Sequence, residues 1–146
     1  MLVVLAAKAA AAVSSATARI RLTMWINYNP NPRGRNAGDC SIRAISKACG
    51  LAYLELALLG IELGDMPSAN AVWGAYLARN GFVKEHLANS CEMEYTISKF
   101  TCDNCRGVYV LALSGHVACA IDGDYFDSWD SGNEIVLYDW RLTDAI

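Results

Sequence analysis

Residues far apart in this chain have the types needed to break an acyl bond. Cys40 opens a segment with helical spacing, His116 opens a run of apolar residues, and Asp127 and Asp130 lie on the segment that returns from it. A thiol attacks a carbonyl as its thiolate, an imidazole can take the proton, and a carboxylate can hold that imidazole in the working tautomer. Cys40 is placed at or next to the first position of its helix, where it meets the positive end of the peptide dipoles. Arg43, one turn on, adds a cation, and both favour the thiolate while the adjacent Asp39 opposes it. The other histidine, His86, follows Lys84 and Glu85 in a polar stretch and reads as ordinary surface.

These groups need elements that bring them together. Residues 28–36 (Tyr-Asn-Pro-Asn-Pro-Arg-Gly-Arg-Asn) form a loop, because each proline drives its predecessor out of the α region. Gly38 or Asp39 then caps a helix from Cys40 to Cys49, stopped by Gly50. Its apolar stripe is Ile42, Ile45 and Cys49, which makes Cys49 the core cysteine and sets Cys40 on the opposite side of the wheel. A second helix is expected from about Tyr53 to Leu63. A third, capped by Ser68 or Asn70, repeats Val72, Ala75 and Tyr76 with Trp73 as core, and ends at Asn80-Gly81.

Beyond Gly81 the pattern changes. Phe82–Leu87 reads as a short strand, Thr96–Phe100 as a helical turn and Val108–Leu113 as an apolar strand. His116–Ile121 and Tyr125–Trp129 form a hairpin around Asp122-Gly123-Asp124, since Asp-Gly is a strong hairpin signal, and Glu134–Tyr138 supplies another strand. A two-residue Asp122-Gly123 turn pairs His116 with Trp129 and puts Asp127 on the histidine's face; a three-residue turn through Asp124 pairs His116 with Asp130. Asp-Gly favours the shorter turn and hence Asp127, with Asp130 as the alternative. Helices first and antiparallel strands afterwards predict an α+β fold, with the helix bearing Cys40 packed on a small antiparallel sheet.

The composition bounds the rest. A chain of 146 residues is one domain's worth, and its 54% hydrophobic residues suffice for a core. Residues 1–38 hold five cations (Lys8, Arg19, Arg21, Arg33, Arg35) and no acid, so with a net charge of −3 the remainder carries −8, a poor match to nucleic acid. Residues 1–23 form an Ala-rich leader ahead of a domain at 24–146. The leader is expected to be dispensable; its Ala16-Thr17-Ala18 end also fits a signal cleavage site, but Lys8 sits inside the apolar run and the uncharged stretch is too short for a bilayer. The compartment is undecided, with cytoplasmic or virion-associated favoured over secreted. Six cysteines are too sparse for a disulfide scaffold. Cys102-Asp103-Asn104-Cys105 precedes a strand, the wrong order for thioredoxin-type chemistry, and lacks a second metal knuckle; it reads as a turn with incidental thiols or a local disulfide. With no Gly-rich phosphate loop and no HExxH, neither a metal nor another cofactor is expected.

Gly38-Asp39-Cys40 leading into Ser41-Ile42-Arg43, then Gly115-His116-Val117-Ala118, then Asp127-Ser128-Trp129 resemble, in chain order, the active-site blocks of papain-like cysteine peptidases. The stretch from Asn29 to about Trp140 also resembles small proteins of this fold from bacteriophages and gut-bacterial genomes. The resemblance implies a papain-like fold and a Cys40–His116–Asp127 triad that cleaves an amide bond in a protein or cell-wall peptide through a thioester. It implies Trp129 as a shield for the His116–Asp127 bond. Where the family places an oxyanion-stabilising Gln, six residues before the cysteine, this chain has Gly34, which makes Asn36 the nearest amide donor to act with the backbone N–H of Cys40. Transglutaminase-like acyl transfer and a non-catalytic phage structural or interaction role on the same fold are the alternatives.

Overall fold

Helix α1 (Cys40–Cys49) starts after Asp39 and ends at Gly50, whose φ of 66° is the left-handed conformation glycine adopts without strain. Lys47 in its last turn complements the helix dipole. The structure, a computed structural model, describes residues 22–35, 38–53 and 69–143. Residues 1–21 of the leader, Asn36, the expected helix beyond Tyr53 and the candidate cap Ser68 lie outside them.

The described chain is α+β, with a six-stranded sheet in the order β1-β5-β4-β3-β6-β2. Its strands are β1 (Trp25–Asn27), β2 (Phe82–His86), β3 (Val108–Leu113), β4 (His116–Ile121), β5 (Asp124–Asp127) and β6 (Tyr138–Leu142). Helix α2 (Asn70–Arg79) precedes β2, and helix α3 (Ile97–Asp103) precedes β3. Every residue of β3 is buried or half-buried, as a central strand covered on both faces requires. On one face Val110, Ala112, Val117 and Cys119 pack against Ile42, Ala44 and Ile45 of α1 and Trp73 and Leu77 of α2. On the other, Tyr109, Leu111, Ala118 and Tyr125 pack against Ile97 and Phe100 of α3. This alternation is the period of two that sends successive side chains to opposite faces.

Several expectations are corrected. The sheet is not wholly antiparallel, because β1 runs parallel to β5 with Trp25 opposite Tyr125 and Asn27 opposite Asp127. Three residues are too few to display an alternation, and the pairing is set by a partner about 100 residues away in the chain, with Tyr125 N–H donating to the Met24 carbonyl over 3.1 Å. In α2 the buried stripe is Val72, Trp73, Gly74 and Leu77, while Ala75 is exposed, and the N-cap position is Ala69. Val72 and Trp73 are core as expected, and with Leu77 buried beside them Ala75 faces outward. Helix α3 runs to Asp103, beyond the single turn expected, with Thr96 Oγ1 accepting from Lys99 N–H.

The expected strand at Glu134–Tyr138 is displaced to 138–142. The carbonyls of Gly132 and Glu134 accept from the N–H groups of Ser98 and Ile97 over 3.0 and 2.9 Å. This stretch therefore satisfies first-turn amides of α3 and is not free to join the sheet until Leu137. Gly132 is needed there, because an added Cβ would fall on the Tyr125 hydroxyl and lie 2.7 Å from Ser98 Oγ. Gly132→Ala should destabilise the protein by about 2 kcal/mol, the scale of an overpacked core site. Urea unfolding tests this, and an unchanged midpoint would show that the loop shifts without cost.

Candidate active site

Three elements converge on one point. Helix α1 presents Cys40 from its first position, β4 opens with His116, and β5 ends with Asp127. Ile121 pairs with Asp124 across Asp122-Gly123, so the hairpin turns through two residues, with φ of 50° and 88° at the turn positions. Continuing that register sets His116 opposite Trp129 and Asp127 on the same face, one diagonal away. His116 Nε2 lies 2.6 Å from Asp127 Oδ2. The ring's other nitrogen is thereby left for Cys40, with which His116 shares a side-chain hydrogen bond.

Asp127 is held from two further sides. Ser131 Oγ donates to Oδ2 and the Ser128 N–H to Oδ1, each over 2.7 Å, and the residue is 4% exposed. Trp129 sets its ring 5.5 Å from the His116 ring, at a 46° tilt, and covers the imidazole while staying half exposed itself. Asp130 does not face the histidine. It accepts from the Tyr125 hydroxyl and, over 3.2 Å, from Gly132 N–H, so it organises the following turn. Asn36 lies outside the described residues.

The electrostatics separate the thiols. Burial works against charge on Cys40, but the hydrogen bond and charge of His116, the backbone of Val117 and the Arg43 guanidinium outweigh it and hold the thiol below its ordinary range. Burial also opposes the imidazolium, yet Asp127 and Cys40 push the His116 pKa up to about 9. The two shifts run in opposite senses, and both favour the thiolate–imidazolium pair over the neutral one. Elsewhere burial raises the Cys49 pKa to about 11, and complete burial raises that of Cys119 further. Cys91, Cys102 and Cys105 are exposed free thiols, and Cys102 lies within α3. His86 is exposed on β2 beside Tyr138.

Sequence reasoning missed part of the surroundings. Asp39 occupies the cap position of α1, but its side chain makes no capping bond. Its carboxylate instead pairs with Arg43 and accepts from Asn31 Nδ2 over 2.8 Å and the Tyr53 hydroxyl over 2.6 Å. Asn31 in turn holds its own loop, its Oδ1 accepting from Arg33 N–H and its carbonyl from Gly34 N–H. The Asn-Pro-Arg-Gly turn was legible at positions 31–34; its tether to Asp39 was not. Ser131 carried no signal, since its contact depends on how the chain bends after Asp127. Among the described residues no helix is long and apolar enough to cross a membrane. Comparison of the chain with protein-family models, curated proteins and solved structures gives no match.

Proposed function

We propose that the protein is a cysteine hydrolase of papain-like type that cleaves an amide bond in a protein or peptide through a thioester. In this reading the Cys40 thiolate adds to the carbonyl carbon, and the oxygen takes up negative charge at the N-terminus of α1. The tetrahedral species then collapses, breaking the carbon–nitrogen bond as the His116 imidazolium gives its proton to the departing amine. Neutral His116 next takes a proton from water, whose oxygen attacks the thioester and releases the acid and the thiolate. Asp127 keeps the ring oriented throughout. The observation that carries the reading is the chain of contacts from Cys40 through His116 to Asp127, with opposed pKa shifts on the first two.

Two measurements test it. Iodoacetamide at pH 7 should alkylate Cys40 well before Cys49 or Cys119, and p-nitrophenyl acetate should acylate it with a burst of p-nitrophenolate. The reading fails if half-buried Cys49 or buried Cys119 reacts first, or if Cys40 shows no burst above that of a simple thiol. The acylation rate should also follow a bell in pH. It rises as the pair forms and falls as His116 loses its proton near pH 9, because the folded-state pKa is raised and the protonated ring persists up to that value. A fall centred near 6.5 would mean that Asp127 and the thiolate do not hold the imidazolium. Adding a primary amine separates hydrolysis from transfer, since a transferase would yield the amide in place of the acid.

A further inference from the structure

We propose that Asp39 is a positioning residue of the active site, whose carboxylate is held away from the first-turn amides of α1 so that these amides, beside Cys40, are left for the developing acyl oxyanion. An aspartate at an N-cap ordinarily accepts from the N–H groups two or three residues on and so occupies donors that an anion would need. Here Asp39 sits in that position with φ −110° and ψ 21° and makes no such bond. Its carboxylate has other partners: the Arg43 guanidinium from one turn on, Asn31 Nδ2 and the Tyr53 hydroxyl. Asp39 and Arg43 are each only 5% exposed, so neither partner can be replaced by bulk water. Asn31 Nδ2 also donates to the Tyr53 hydroxyl over 3.1 Å, so these two donors brace each other on one oxygen of the carboxylate while Arg43 holds the other.

The arrangement does two things for the chemistry. It sets a negative charge next to the nucleophile but neutralises it with Arg43, whose guanidinium favours the Cys40 thiolate. It also ties the loop entering α1, through Asn31, and the chain leaving it, through Tyr53, to the residue just before Cys40. Without these donors the carboxylate could turn to the adjacent amides and cap them, which stabilises a helix but competes with an oxyanion for the same N–H groups.

The inference rests on the hydrolase reading, and its test keeps the two apart. Acylation by p-nitrophenyl acetate passes through an oxyanion, whereas alkylation by iodoacetamide is a direct displacement that forms none. Both need the thiolate, so the ratio of the two rates at Cys40 cancels changes in ionisation. It would be measured in full-length protein carrying Cys91→Ser, Cys102→Ser and Cys105→Ser, with a Cys40→Ser control subtracted. Arg43→Leu, which removes the charged partner of the carboxylate and leaves Oδ1 open to turn to the first-turn amides, should lower the ratio about tenfold. Adding Asp39→Ala to Arg43→Leu removes the competing carboxylate and should bring the ratio back to within about threefold of the parent. The pair Asn31→Ala and Tyr53→Phe, which leaves Arg43 in place, should lower the ratio in the same direction and decides the matter if Arg43→Leu does not fold. An unchanged ratio in the variants, or no recovery on adding Asp39→Ala, overturns the role of Asp39 alone. A parent protein whose Cys40 alkylates but does not acylate overturns the hydrolase reading beneath it.

Discussion

Cys40→Ser should abolish turnover of p-nitrophenyl acetate above background, and His116→Ala should do nearly as much damage. The loss expected when either half of a nucleophile–base pair is removed is on the order of 10⁴ to 10⁶. Serine keeps the size of the side chain but not its acidity. The forces that bring the Cys40 thiol down, namely His116, the backbone of Val117 and Arg43, act on a group already able to ionise in water. A hydroxyl starts several pKa units higher, so the same surroundings leave it protonated and poorly nucleophilic. His116→Ala has a different signature, because it removes both the proton acceptor and the main favourable contact of the thiolate. Alkylation of Cys40 by iodoacetamide should then require a higher pH; because the side chain is 17% exposed and its loss leaves the Asp127 carboxylate without its charged partner, urea unfolding run in parallel separates loss of chemistry from loss of fold. The double variant should be no worse than Cys40→Ser alone, since both act in one step. Substantial turnover in Cys40→Ser would place the chemistry elsewhere in the molecule.

How the sequence discloses this site follows from where its residues lie. Asp39, Gly50 and the Ile42/Ile45 repeat delimit α1, because caps and stripes act over a few residues and are written locally. Asp122-Gly123 likewise fixes the β4–β5 register, since the turn demands positive φ at adjacent positions and few other pairs supply it. With the helix start and the hairpin register fixed, Cys40, His116 and Asp127 follow. What was not legible depends on distant partners. Strand β1 exists because Met24–Tyr28 finds β5, and β6 starts at Tyr138 because Gly132 and Glu134 are engaged with α3. The Asn31–Asp39–Tyr53 set joins positions 8 residues apart across a loop and 14 apart across the whole of α1, beyond the reach of any local rule. Asp39 read by itself is a helix cap, and only its buried neighbours show that its carboxylate goes elsewhere.

Asp127→Ala should lower turnover by about 10⁴, the loss seen when the group orienting a catalytic histidine is removed. The carboxylate neither attacks nor transfers a proton in the proposed scheme, so the loss measures orientation and support of the imidazolium. Asp127→Asn should keep part of the activity, and the reason lies in its partners. Oδ2 receives both His116 Nε2 and Ser131 Oγ, whereas Oδ1 receives the Ser128 N–H. An amide placed here keeps its oxygen toward the two donors and sets its NH₂ against a single backbone N–H, so His116 retains its tautomer. What the amide lacks is charge. The His116 pKa should therefore fall below its present value of about 9, and the alkaline limb of the pH–rate profile should move down with it. Asp130→Ala is the matched comparison, a carboxylate three residues on that serves Tyr125 and Gly132. It should cost about 1 kcal/mol of stability for the tyrosine hydroxyl left without its partner, with turnover within about threefold of the parent. If Asp130→Ala proves the more damaging alanine variant while the fold is intact, the carboxylate that matters in solution is not the one bonded to His116. The hairpin would then have to slip by one residue to bring Asp130 across, which would show as a change in the cross-strand contacts of Ala120 and Tyr125.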